Sequence, residues 1–181
     1  YHSEGYWLVK VQPIIREVSK DSTAVTFQID EGPKVTISDI IIEGNKAVSK
    51  KEIKKAMKTK ERWLFSFLTN SGIYQREQML QDIESIKAVY QNKGYLAAAV
   101  SEPELILSPD RKKLSVKIYV SEGDQYKVGD LKFTGNTLFS SEELSKYLHL
   151  SKGQVFNKGA LRNDIDSILD LYMDKGYARA Y

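Results

Sequence analysis

The chain has 181 residues, with 27 Lys and Arg against 24 Asp and Glu, a formal net charge of +3. The length allows one or two domains, and so small a charge lacks the concentrated basic character of a dedicated nucleic-acid binder. Cysteine is absent and histidine occurs twice, so disulfides, thiolate metal sites and cysteine nucleophiles are excluded and most histidine-based catalysis is disfavoured.

The chain opens on Glu4-Gly5-Tyr6. An extended run containing Pro13 follows, then a second in which Val25, Phe27 and Ile29 alternate. Together they read as a hairpin that closes at Glu31-Gly32-Pro33. Beyond it, Val35 and Ile37 alternate, and Ile40 and Ile42 alternate again after one extra residue. A one-residue slip in an alternating run predicts a strand with a bulge near Ser38-Asp39. Gly44-Asn45 ends that strand with turn chemistry tolerant of positive φ.

Ser49-Lys50-Lys51-Glu52 fits a capping box and opens a short helix with Ile53 and Met57 on one face. A basic run and an aromatic insertion, Trp63 to Leu68, lead to a longer helix. Its apolar stripe is Met79, Ile83, Ile86 and Tyr90, and Gly94 sits where a left-handed residue ends a helix. Two strands follow, Leu96 to Ser108 and Leu114 to Ser121, with a turn at Pro109-Asp110. In the second, Val116, Ile118 and Val120 alternate with Ser115, Lys117 and Tyr119.

The order then repeats. Glu31-Gly32 recurs as Glu122-Gly123 and Gly44-Asn45 as Gly135-Asn136, both at a shift of 91. Lys93-Gly94-Tyr95 recurs as Lys175-Gly176-Tyr177, and the helix stripe as Leu161, Ile165, Ile168 and Tyr172, both at a shift of 82. Tyr126, Val128, Leu131 and Phe133 predict a second bulged strand, slipped near Gly129-Asp130. Ser140 to Glu143 predicts a second capping box, and Leu144 and Leu148 a second short helix. The expected unit is βααββ: an α+β fold with a three-stranded sheet packed against two antiparallel helices. Residues 1–32 read as the C-terminal hairpin of a preceding unit. Residues 33–123 read as a complete unit, and 124–181 as the strand and two helices of a following one.

This order of Gly-Asn turns, Ser-x-x-Glu caps, Lys-Gly-Tyr helix ends and Glu-Gly joints resembles tandem POTRA (polypeptide-transport-associated) domains. The likeness is greatest to those of BamA-like outer-membrane assembly factors. The insertion at Trp63 to Phe67 looks like the longer helix connection of a middle unit, around the third and fourth of a five-unit array. The resemblance implies a periplasmic portion of an outer-membrane protein, with a membrane barrel C-terminal to it in the parent chain. It implies unfolded outer-membrane protein clients and assembly-complex lipoproteins as partners, no cofactor and no catalysis. The POTRA region of a two-partner secretion transporter is the related alternative.

In that family the second strand of the sheet is an edge and the third is central. Pro103 agrees, since proline removes a ladder donor and belongs on an edge or at a bulge. An edge carries backbone groups that pair with an extended peptide of any sequence. The peptide-binding candidates are Val100, Ser101, Glu102, Glu104, Leu105, Ile106 and Leu107; the plainer reading is that Pro103 only blocks aggregation. Trp63, Phe65 and Phe67 are candidates for partner contact, against the favoured reading that their loop folds back over the helices. An exposed Trp63 would reverse that preference.

Lys50, Lys51, Lys54, Lys55, Lys58, Lys60 and Arg62 admit a nucleic-acid surface along 50–62 as an alternative of another class. No nucleic-acid-binding loop or aromatic signature accompanies them, so a solvated helix face is favoured. His149 reads as a surface or capping residue. Asp164 and Asp166, two apart on a helix, do not face each other. No metal-ligand cluster, phosphate loop or nucleophile elbow appears.

Overall fold

The computed structural model describes residues 1, 4–63, 66 and 71–177. Alternating runs become β1 (Lys10–Ser19), β2 (Ser22–Asp30), β3 (Thr36–Glu43), β4 (Ala99–Val100), β5 (Glu104–Leu107) and β6 (Lys113–Ser121). The runs with helical period become α1 (Lys50–Ala56), α2 (Arg76–Gln91), α3 (Ser141–Ser145) and α4 (Lys158–Met173). The chain divides into two compact units, residues 1–43 with 57–82 and 102–119, and residues 44–56 with 83–101 and 120–181.

In the first unit β1 and β2 form an antiparallel hairpin whose residues are all exposed. Pro13 lies inside β1, opposite Phe27, rather than interrupting it. β3 runs parallel to β6, and the register slips between Ile37 and Asp39, where the extra residue was expected. The slip leaves Ser38 and Asp39 both exposed and turns Ile37 and Ile40 both inward. β5 pairs antiparallel with β6, with Leu105 opposite Val116 and Leu107 opposite Leu114. Ile37, Ile40, Ile42, Met57, Met79, Leu114, Val116 and Ile118 are the buried apolar side chains that follow from these periods.

The outer flank of β3 is not open. The Ile37 amide donates to the Gly72 carbonyl at 2.7 Å, and the Arg62 amide donates to the Ile37 carbonyl at 2.8 Å. The Ile40 amide donates to the Glu61 carboxylate at 2.9 Å. Residues on either side of the aromatic insertion thus take up outward groups of Ile37 and Ile40.

In the second unit Ile53, Ile83, Ile86 and Tyr90 are buried, as their helical spacing requires. Ser49 Oγ accepts the Glu52 amide at 3.2 Å, and Ser140 with Glu143 completes a reciprocal capping box. Gly44 has φ +82, and a Cβ there would lie 2.1 Å from the Val120 carbonyl oxygen, so no other residue fits. The Glu122 carboxylate fills the turn that follows, accepting the amides of Lys46 at 2.7 Å and Ala47 at 2.9 Å and the Tyr90 hydroxyl at 3.0 Å. The Tyr90 and Tyr95 rings meet edge to face at 6.1 Å, as do Tyr172 and Tyr177, and in the first unit Tyr1 and Tyr6. The same ring pair thus recurs at all three Gly-Tyr positions.

Three expectations need correction. The strand predicted over Leu96 to Ser108 is two short pieces, β4 and β5, broken across Ser101 to Pro103; each pairs with β6, so the sheet has four strands. The strand predicted over Tyr126 to Phe133 does not form; a single bridge joins Lys127 to Val155, and Tyr126 and Leu131 are exposed. A strand needs a ladder, and among the described residues this run makes only that one bridge. For the same reason the α4 stripe finds no sheet face: Ile165 is 49% exposed, where its counterpart Ile83 is 6% exposed. No described helix is long and apolar enough to cross a membrane.

Candidate functional site

β5 is short because Pro103 precedes it and a tight turn follows. In that turn Asp110 accepts the Ser108 hydroxyl and the Lys112 amide, at 2.5 and 3.2 Å. These bonds hold its carboxyl below the usual range. Among the described residues β5 pairs with β6 alone. Its four residues, Glu104, Leu105, Ile106 and Leu107, are all exposed, and its free flank presents unpaired backbone donors and acceptors. With Glu61, Arg62 and Gly72 on the β3 flank of this sheet, its open flank among the described residues lies along β5.

The pleat sorts the β5 side chains. Leu105 and Leu107 lie on the face of their buried partners Val116 and Leu114. Glu104 and Ile106 lie on the opposite face, with Lys117 and Ser115. On that face the Lys117 ammonium sits 4.8 Å from the Tyr119 ring centroid and 3.1 Å from the Glu43 carboxylate. Tyr119 first, then Glu43, raises its pKa above the ordinary lysine value.

Beside Leu105 on the helix side lies a cavity of about 380 Å³, lined by Trp7, Tyr74, Met79, Leu80 and Pro103, with Arg76 and Glu102 supplying charge. The Trp7 ring packs on Tyr74 at 5.0 Å and 69°. Burial pushes the Tyr74 hydroxyl pKa up.

The candidates named from sequence separate here. Glu102 lines the cavity, and Glu104 to Leu107 form the edge. Val100 pairs with Val120 in β4, and Ser101 lies between the two strands. Trp63 is 56% exposed, which goes against a loop folded wholly back on the helices. Phe65 and Phe67 lie outside the described residues. Lys50, Lys51, Lys55, Lys58, Lys60 and Arg62 are exposed, as a solvated face requires. Trp7, Tyr74 and Leu80 were not anticipated. Trp7 carries the one available signal, since it follows Gly5-Tyr6 where Leu96 follows Gly94-Tyr95.

His149 and Asp164 meet, Nδ1 to Oδ1 at 2.7 Å, but the carboxylate also accepts the amides of His149 and Leu150 at 2.8 and 3.1 Å. Burial pushes the Asp164 carboxyl up, yet these donors together hold it below the usual range. A carboxylate so occupied is a structural cap. No described cluster of three or more His, Asp or Glu is placed to hold a metal.

A surface antigen variable number repeat model, POTRA, matches residues 35–123 and 126–181. The chain belongs to the POTRA family. Its POTRA repeats are 32% identical over 186 residues to the outer membrane protein assembly factor BamA of Nitratidesulfovibrio vulgaris, covering 99% of this chain and 23% of that protein. They are 29% identical over 185 residues to a putative outer membrane protein assembly factor of Treponema pallidum, covering 100% of this chain and 22% of that one. The crystal structure of Haemophilus influenzae BamA POTRA3-5 matches with a TM-score of 0.57 at 19% identity, covering 93% of this chain and 63% of that chain. That likeness is one of fold, and it establishes the α+β POTRA architecture. The chain spans less than a quarter of the length of these two curated relatives.

Proposed function

We propose that this chain is a periplasmic protein-interaction array of an outer-membrane β-barrel assembly factor. In this reading it receives unfolded outer-membrane protein strands by pairing them to β5 and docks the lipoprotein partners of the assembly complex. The parent chain would carry the membrane barrel C-terminal to it. Residues 33–123 act as the complete POTRA unit, between the closing hairpin 1–32 and the opening part of a following unit, 124–181. The observation that carries the reading is the asymmetry of the sheet: β3 is covered at Ile37 and Ile40, whereas among the described residues β5 pairs with β6 alone. No catalytic role is assigned.

Backbone pairing reads no side chains, which suits a receiver of many clients. Each exposed main-chain hydrogen bond contributes roughly 0.5–1.5 kcal/mol net, and ordering the client offsets much of that. One edge of four residues therefore binds weakly, at high micromolar or above, and useful affinity comes from several units together. In an NMR titration of this chain with unfolded β-strand peptides, shift changes are expected over residues 96–108. Changes confined to the helices would refute the proposal.

A further inference from the structure

Reading β5 as the client edge, we propose that the cavity beside it receives one bulky apolar side chain, preferentially aromatic, from the strand added to β5. The preference then lies in a side-chain subsite partly built by Trp7, a residue outside the 35–123 family match.

A strand laid along β5 places alternate side chains on the helix side of the sheet, the side of Leu105 and Leu107. The side chain that comes level with Leu105 lies over the cavity that Leu105 itself lines. At about 380 Å³ the space is at the small end of ligand pockets, roughly 300–1,000 Å³. That suits one large side chain rather than a folded segment.

Its lining sets the preference. Trp7 and Tyr74 already pack edge to face, and a third ring can join them with the same offset geometry. Met79 adds a polarisable sulfur and Leu80, half exposed on α2, an apolar rim. Arg76 and Glu102 carry opposite charges, so the lining favours neither an anion nor a cation. A small side chain would leave the aromatic walls without contact and forfeit the dispersion gain. The edge thus supplies pairing of any sequence, and the cavity a preference at one position in the client.

The test uses the 181-residue chain and three short extended peptides, followed by NMR. One carries Phe at a central position, one carries Ala there, and one carries the Phe moved by one residue to the opposite face. All three are expected to shift the amides of residues 104–107. The first is expected to bind about tenfold more tightly than the second and to shift the Trp7 indole, and the third to lose that gain. Trp7→Ala is expected to remove most of the discrimination while the shifts at 104–107 persist. Leu80→Glu, an exposed position on a helix, gives the same loss if the Trp7 variant folds poorly. Equal affinity for the Phe and Ala peptides, with shifts at 104–107, overturns the cavity proposal and leaves the edge reading intact. An undiminished gain for the displaced Phe, or in both variants, also overturns it. Absence of shifts at 104–107 with every peptide overturns the edge reading and this proposal together.

Discussion

Asp82 and Asp164 stand 82 residues apart and hold the same pair of groups. The Asp82 carboxylate accepts the amides of Lys58 at 2.6 Å and Thr59 at 2.9 Å. Asp164 accepts those of His149 and Leu150, the positions 91 residues later. Both acids are buried, at 0% and 1% exposure. Each ties the longer helix of its repeat to the chain just beyond the shorter one, on hydrogen bonds to a charged acceptor, which are stronger than neutral ones.

Replacing Asp82 with Ala removes both acceptors and leaves two amide donors unsatisfied. The expected loss is about 2–4 kcal/mol in urea unfolding. Hydrogen exchange at Lys58 and Thr59 should quicken before α2 loosens. An unchanged midpoint would show that water replaces the carboxylate at no cost.

Glu122 makes stability depend on pH. Burial alone pushes its carboxyl up, but the amides of Lys46 and Ala47 and the Tyr90 hydroxyl outweigh that and hold it below its ordinary value of 4.5. A folded pKa below the unfolded one means the contribution is complete above the unfolded value. It is lost as pH falls through the folded value. Thermal melts should therefore show the wild type losing stability below about pH 4.5, and Glu122→Gln should be less stable at pH 7 and lose less on acidification. Parallel wild-type and variant curves across that window would refute the assignment.

Gly44 and Gly135 share a repeat position and a positive φ, +82 and +78, but not their surroundings. At Gly135 a Cβ meets nothing within 4 Å, so Gly135→Ala carries only the left-handed backbone cost, about 1–2 kcal/mol. At Gly44 the added atom would lie 2.1 Å from a backbone oxygen. There Ala is expected to cost about 3 kcal/mol or more. Equal midpoint shifts for the two variants would contradict the structure.

Thr59 Oγ1 is buried with no hydrogen-bond partner among the described residues, whereas the matching position is the buried Leu150. Thr59→Val keeps the shape and deletes the orphan hydroxyl. Stability is expected to stay level or rise by about 1 kcal/mol, read from the urea midpoint. A clear loss would mean that the hydroxyl has a partner in solution.

Much of this protein was open to reading along the chain. The slip after Ile37, the Ser140 to Glu143 box and the turn glycines follow from side-chain period, φ preference and hydrogen bonds only a few residues long. The sequence by itself determined the repeat and most of the elements between Thr36 and Ser121. Only the tertiary structure decided which flank of the sheet stays open, because Glu61, Arg62 and Gly72 return to β3 from a part of the chain with no local mark of that destination. It also decided that Tyr126 to Phe133 forms no strand, that Asp82 is a buried cap, and that Trp7 reaches Tyr74. A strand depends on having a neighbour, and a cavity on which distant side chains meet around it. Neither is written in the spacing of adjacent residues; both arise when the chain closes on itself.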